Sequence, residues 1–347
     1  MPTASVIIPT YNGRDYLQDC LASLHKQTRR DFELIIVDNG STDGTAAAAR
    51  QAWPDAHVIE AGRNLGYAGG MNLGAARASG EWLVLLNNDT VLEPDWLAQL
   101  LAAGQRDPTI GVCSSKVRLL SDRRRLDSFA SYLTPCGFLQ HRGLLEVDEG
   151  QYDGVEDFFS PKGVAFAIRR DLFEAIGVFD PTYFSYFEET DLFWQVWLRG
   201  YRIRFAPHAL AYHKVGGTAA RMSYAFVDYH SFKNRIRTII KNAGAGTLCW
   251  MLPYHLVCCA GLVAIHALRP QRWGNGWAIV KAIGWNLTHL ADTWRARSRV
   301  QRARRISDRA LFRQAMRPIA IRDFARYTWW MVWVREQRRA AIHAGTL

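Results

Sequence analysis

The chain has 347 residues, 49% of them hydrophobic, 12% aromatic and 22% charged, with 43 Lys+Arg against 32 Asp+Glu. That is enough apolar material for a full core, and it excludes a disordered, collagenous or disulfide-stapled chain; the length suits one large domain with an appendage, or two domains. Its six cysteines, Cys20, Cys113, Cys136, Cys249, Cys258 and Cys259, show no CxxC pair and no His-x-His partner at metal spacing, which argues against zinc and for reduced thiols in the cytoplasm.

Met1 to Pro9 reads as a short apolar strand, Ser5 to Pro9 at its heart, with neither the basic n-region nor the cleavage site of a signal peptide. Tyr16 to His25 follows with Leu17, Cys20, Leu21 and Leu24 at i, i+3, i+4 and i+7, which predicts an amphipathic helix. Phe32 to Val37 is a second strand, ending at Asp38-Asn39-Gly40-Ser41, and Thr42 or Asp43 can cap the alanine-rich helix beyond it. His57 to Glu60 is a third strand, Gly66 to Ser79 a helix of small residues, and Trp82 to Leu86 a fourth strand that stops at Asn87-Asn88-Asp89. Continuous apolar strands in successive βα units predict a parallel sheet covered on both faces, with ligands collecting at the carboxyl ends of its strands. Farther on, Glu188, Glu189 and Asp191 precede the amphipathic run Leu192 to Leu198. They read either as ordinary first-turn acids or as crowded carboxyls whose pKa rises toward that of a general base.

Charge divides the chain. Residues 1–220 hold 21 Lys+Arg and 27 Asp+Glu, net −6, whereas residues 221–347 hold 22 and 5, net +17, together with eight of the 13 tryptophans. Leu248 to Leu268 is a stretch of 21 residues without a charge. It is long enough to span a bilayer, but a single crossing would put the arginines between Arg295 and Arg339 on the opposite side from Lys233, Arg235, Arg237 and Lys241, against the positive-inside rule. An interfacial or re-entrant helix pair fits better: Trp273 to Trp294 carries tryptophans at both ends with Lys281 between them, and the following arginines can meet anionic headgroups. The alternative is a buried helical hairpin. Nucleic acid is not expected as a partner, because an apolar block of this length is not a base-stacking surface.

Four polar clusters close predicted strands or the turns beside them: Pro9-Thr10-Tyr11-Asn12, Asp38-Asn39-Gly40-Ser41, Arg63-Asn64-Leu65-Gly66 and Asn87-Asn88-Asp89. Each alone is ordinary turn chemistry. As an ordered set, with Gly163 to Pro181 (GVAFAIRRDLFEAIGVFDP), Phe187 to Leu192 (FEETDL) and His213 to Thr218 (HKVGGT), they resemble a family-2 glycosyltransferase of the GT-A fold, nearest to bacterial rhamnosyltransferases. The resemblance implies an α/β, Rossmann-like mixed sheet with helices on both faces over residues 1–220, followed by a basic, Trp-rich, membrane-associating helical region over residues 221–347.

Sugar transfer from a nucleotide diphosphate needs a grip on the nucleotide, a cation on the leaving group and a base for the acceptor hydroxyl. The resemblance places the nucleotide at Thr10, Tyr11, Asn12, Asp38, Asn39, Arg63, Asn64 and Asn88, although Asp38 reads equally as a cap. Asn87-Asn88-Asp89 is similar to the family's DxD-type motif with its first acid replaced, leaving Asp89, with His213, to hold Mg²⁺ or Mn²⁺. Glu189 is the expected base, Asp191 the second candidate and Glu188 an orienting group, with Gly163 and Trp194 as the platform for sugar and acceptor. The expected activity is inverting transfer from a nucleotide sugar, dTDP-rhamnose among the candidates, to a lipid-linked or polysaccharide acceptor at the cytoplasmic face of the plasma membrane. A nucleotidyl transferase would need a glycine- and lysine-rich phosphate loop after the first strand, which the sequence lacks. A scaffold that kept the fold and lost catalysis would fit Asn87 and Glu189.

Overall fold

The computed structural model describes residues 2–155, 158–215 and 222–316. The motif residues Gly216, Gly217 and Thr218, the tryptophans Trp329, Trp330 and Trp333 and the arginines from Arg317 onward lie outside them.

In chain order the first elements are β1 (Ala4–Thr10), α1 (Arg14–Leu24), β2 (Phe32–Asp38), α2 (Thr45–Ala52), β3 (His57–Glu60), α3 (Gly66–Ala75) and β4 (Trp82–Leu86). Each agrees with its predicted counterpart to within a few residues. Next come β5 (Thr90–Leu92), α4 (Trp96–Gln105), β6 (Ile110–Leu119), the hairpin β7 (Ala130–Leu133) and β8 (Leu139–Arg142), β9 (Ala165–Arg169), α5 (Arg170–Ile176), α6 (Glu188–Leu198) and β10 (Arg202–His213). The second half is helical: α7 (Tyr224–Asn242), α8 (Ala245–Ala267), α9 (Trp273–Thr288), α10 (Leu290–Ala303) and α11 (Asp308–Ala315).

The main sheet has eight strands in the order β3-β2-β1-β4-β9-β6-β10-β5. Its first four strands are parallel, but β9 lies antiparallel between β4 and β6, and β5 antiparallel to β10. The sheet is therefore mixed, as the resemblance implied, and the purely parallel extrapolation from the first four strands is corrected. Strand alternation splits the core into two layers. Val6 and Ile8 of β1 pack with Leu17, Leu21 and Leu101 on the face covered by α1 and α4, and Ile7 packs with Met71, Phe173 and Phe193 on the face covered by α3, α5 and α6.

The second layer continues without a break into Ile239, Met251, Val300 and Leu311, so the compositional change near residue 220 is not a gap in packing. Charge locks the two regions together. Lys241 Nζ lies 2.8 Å from both Asp180 and Asp191, and Arg237 reaches Asp180 at 2.8 Å and Asp292 at 2.7 Å. Arg235 lies over the rings of Phe138, Phe187 and Phe232. Lys233, Arg237 and Lys241 are buried, Arg237 and Lys241 as internal counter-ions and Lys233 with its ammonium on the Thr182 carbonyl, so they are not the flanking cations of a membrane span that their sequence positions suggested.

Helix α8 has a mean hydropathy of 1.9 over its apolar window, of which 17% is buried. It buries Met251, His255, Cys259 and His266 along one face, against the core of the sheet at one end and α7 and α9 at the other. That face follows the buried-hairpin alternative. The outward side exposes Trp250, Val257, Ile265 and Leu268, continued by Trp273 and Trp277 of α9 and Trp294 of α10.

Candidate active site

A cleft of about 250 Å³ opens over the carboxyl ends of β1, β2 and β4. Thr10, Tyr11, Asn39, Asn64, Asn88, Asp89 and His213 all line it, bringing together seven of the residues expected from sequence. Asn88 Nδ2 donates to Thr10 Oγ1 at 2.9 Å, joining the ends of β1 and β4. Asn39 Nδ2 donates to the Gly66 carbonyl, while its Oδ1 is buried without a hydrogen-bond partner. Asn64 Oδ1 accepts the Gly66 amide at 2.9 Å, turning the chain into α3. Gly66 itself has φ +70°, and a Cβ there would run into the Phe184 carbonyl, so only glycine admits this close approach.

Other expected nucleotide ligands have structural partners instead. Asn12, at φ +47°, accepts the Thr42 amide through Oδ1 at 2.8 Å and ties the β1 loop to the β2 loop. Both carboxylate oxygens of Asp38 accept the Ser41 amide and close the turn after β2; the helix-cap alternative is corrected, because the cap position of α2 is Gly44, with no side-chain cap. Arg63 is exposed, and its backbone packs under Gly40.

The metal-side pair stands where the start of β5 pairs with the end of β10. His213 Nε2 lies 3.3 Å from Asp89 Oδ1, yet that buried oxygen accepts no hydrogen bond. On the other side of the ring, His213 Nδ1 donates to Asp127 Oδ2 at 2.7 Å. Burial works against the imidazolium, but the charges of Asp89 and Asp127 outweigh it and hold His213 up at about 9. Among the described residues no group of three His, Cys, Asp or Glu side chains gathers into a cage. A carboxylate oxygen with an open lone pair facing an imidazole nitrogen nevertheless suits a hard cation that displaces the Nε2 proton and takes its remaining ligands from water and substrate phosphates.

Glu189 stands behind the cleft wall. Gly163 packs on its side chain, where a Cβ would lie 3.0 Å from Glu189 Cγ, and Tyr67, a lining residue, donates its hydroxyl to the Gly163 carbonyl at 3.2 Å. Oε2 of Glu188 and Oε2 of Glu189 are both buried without hydrogen-bond partners. Burial raises Glu189 above the ordinary carboxyl range against the opposing charge of Lys162, and burial plus the charge of Glu189 raises Glu188 well above it.

Two sequence expectations are corrected here. Asp191 accepts from Lys241, from Asn242 at 2.7 Å and from Gln195 at 3.1 Å, so its oxygens are committed to holding α7 on α6 and it is not a free base. Trp194 is fully buried, edge-on to Phe159, and offers no platform to a ligand. The sequence reading missed Tyr67 and Met222 of the cleft, and Asp127 beside it, and had Lys162 only as a neighbour of Gly163 in the platform Ser160 to Ala167. Tyr67 alone had a local signal, in the GYAGG run that opens α3.

Residues 5–177 match the family model for glycosyl transferase family 2. The chain is 27% identical over 298 residues to N-acetylglucosaminyl-diphospho-decaprenol L-rhamnosyltransferase of Mycobacterium tuberculosis, covering 77% of this chain and 94% of that one. It is 30% identical over 189 residues to the O-antigen biosynthesis protein RfbC of Myxococcus xanthus, covering 52% of this chain and 15% of the relative. In three dimensions it is similar to a mannosyltransferase of Pyrobaculum calidifontis solved with GDP-Man and Mn²⁺, at TM-score 0.51 and 20% identity over 87% of this chain and 86% of the other. It is also similar to S. aureus TarS solved with UDP, at TM-score 0.51 and 19% identity over 73% and 70%. The fold is GT-A, and the chain belongs to glycosyl transferase family 2.

Proposed function

We propose that the protein transfers a sugar, with inversion, from a nucleoside diphosphate donor to a hydroxyl of a lipid-diphosphate-linked glycan. The observation that carries this reading is the open oxygen of Asp89 facing His213 in a cleft whose wall also presents the open amide oxygen of Asn39. Asn39, Thr10 and Asn88 would bind the nucleotide. Asp89 and His213 would hold Mg²⁺ or Mn²⁺, which when bound stabilises charge on the departing diphosphate. Glu189 would take the acceptor proton as the acceptor oxygen bonds to the anomeric carbon, and the bond to the diphosphate breaks with its electron pair leaving on phosphate oxygen. Attack from the face opposite the leaving group inverts the centre.

The acceptor class follows the Mycobacterium tuberculosis relative, whose name specifies a diphospho-decaprenol-linked sugar. The exposed apolar strip of α8 and α9 supports work at the cytoplasmic membrane face, with α8 lying in the interface plane: one face is covered by protein along its length, while Val257, Leu268, Trp273 and Trp277 are each more than 60% exposed on the other side. The test is transfer by the purified protein from a panel of nucleotide sugars, dTDP-rhamnose included, to a polyprenyl-diphosphate-linked acceptor with and without Mn²⁺. Cation-stimulated transfer supports the reading; nucleotide-sugar binding without transfer from any donor would favour a catalytically silent binding protein.

A further inference from the structure

Asp127 lies on the segment between β6 and β7 and is completely buried. Its amide donates to the Val117 carbonyl at 2.9 Å, fixing its backbone against the end of β6. Oδ2 accepts from His213 Nδ1 at 2.7 Å and also meets the ammonium of Lys162. Lys162 belongs to the turn that carries Gly163, the residue packed on Glu189. One buried carboxylate thus joins the two halves of the site, with Asp89 and His213 on one side and Lys162, Gly163 and Glu189 on the other.

We infer that Asp127 is a positioning residue for the cation site: it holds the His213 proton on Nδ1, aims Nε2 at Asp89, and anchors Lys162 between the metal side and the base side. The inference rests on the assignment of Asp89 and His213 as the cation pair. The physical reason is that an ionised carboxylate only accepts, so an imidazole bonded to it through Nδ1 must present its other nitrogen to the cleft. Partners of this kind orient a ligating histidine, and their loss typically weakens metal binding 10–100-fold. Lys162 gives the carboxylate a reason to stay charged while buried, because a buried charge persists only when paired.

The experiment is a double-mutant cycle read by free Mn²⁺ in electron paramagnetic resonance, with UDP and dTDP as separate nucleotide arms. In the full-length protein Asp127→Asn is expected to weaken nucleotide-supported Mn²⁺ binding about 10–100-fold. In a His213→Ala background the same substitution is expected to cost less than about twofold, because its effect runs through the imidazole. Asp127→Asn keeps the volume but, with its one oxygen drawn to Lys162, turns an N–H toward Nδ1 and selects the wrong tautomer; if it lowers the melting temperature, Asp127→Glu supplies the cycle with the charge retained and the reach altered. Equal losses in both backgrounds, or undiminished Mn²⁺ binding in Asp127→Asn, would overturn the inference while leaving Asp89 and His213 in place. No Mn²⁺ binding by the unsubstituted protein with either nucleotide would overturn it together with the cation assignment.

Discussion

Glu188 and Glu189 are neighbours in sequence with different electrostatic surroundings. Burial raises both, but Lys162 stands near Glu189 and favours its charged form, whereas Glu188 has the charge of Glu189 beside it. Of the two, Glu188 is the more strongly raised and Glu189 the more readily ionised, the order a base needs. Activity is predicted to rise with pH as Glu189 ionises, along an acid limb above the ordinary glutamate value of 4.5. Glu189→Gln should lower kcat about 10²–10⁴-fold and abolish that limb, while donor binding by calorimetry stays intact. Glu188 makes a stability prediction of opposite sense. A carboxyl raised by folding contributes stability that is fully present below its unfolded value of 4.5 and is lost as pH rises through the folded value. Glu188→Gln should accordingly raise the melting temperature at neutral pH and change it little below pH 4.5, the unfolded value; parallel melting curves across pH would refute this.

The loop into α6 shows how the helical half shapes the cleft. Phe184, Tyr186 and Phe187 have φ of +63°, +69° and +73°, a left-handed region costly for bulky side chains, and Phe184, Ser185 and Tyr186 line the cleft. Asn234 of α7, fully buried, directs Nδ2 at the carbonyls of Tyr183, Ser185 and Tyr186 at 2.5–3.0 Å. Asn234→Ala leaves buried carbonyls unpaired and is predicted to destabilise the protein by about 1–3 kcal/mol and to weaken nucleotide-sugar binding, measured by urea denaturation and calorimetry. None of this strain was legible in the sequence, which shows Phe184 and Tyr186 only as aromatic neighbours of the acids. The first four strands were legible because each is a short apolar run closed by a polar turn, and six cleft residues followed from those turns, with His213 coming from the HKVGGT motif. Asp127 was not, because it reaches His213 through the pairing of β6 with β10, between residues 86 positions apart. Lys241 and Arg237 were misread for a related reason: a cation in sequence carries no mark of its partner, and theirs are Asp180, Asp191 and Asp292.

Across the whole molecule, α8 and α10, which reach the core through Met251 and Val300, present the exposed apolar side together with α9. Gly274 of α9 approaches Ala225 of α7, and Asn275 bonds Asp228 at 2.6 Å, so the tryptophan-bearing start of α9 is fixed beside the start of α7. From there Phe226, edge-on, and His230, tilted, pack against Phe184, a wall of the cleft. A bilayer meeting Trp273 and Trp277 would therefore lie on the side of the molecule that carries the Phe184 wall, the side from which the proposed lipid-linked acceptor would enter the cleft. Exposed Arg295, Arg299 and Arg302 on α10 add the charge for anionic headgroups, each worth about 1 kcal/mol near such a surface. Replacing Trp273 and Trp277 together by alanine is predicted to cut partition onto phosphatidylglycerol-containing vesicles more than about tenfold, since tryptophan rings anchor at the interface and their burial supplies the apolar part of binding. The same double variant should keep its donor hydrolysis in solution and lose transfer only to a vesicle-embedded acceptor. Equal loss in both assays would mean that these rings stabilise the fold, and full vesicle binding would place the membrane contact elsewhere.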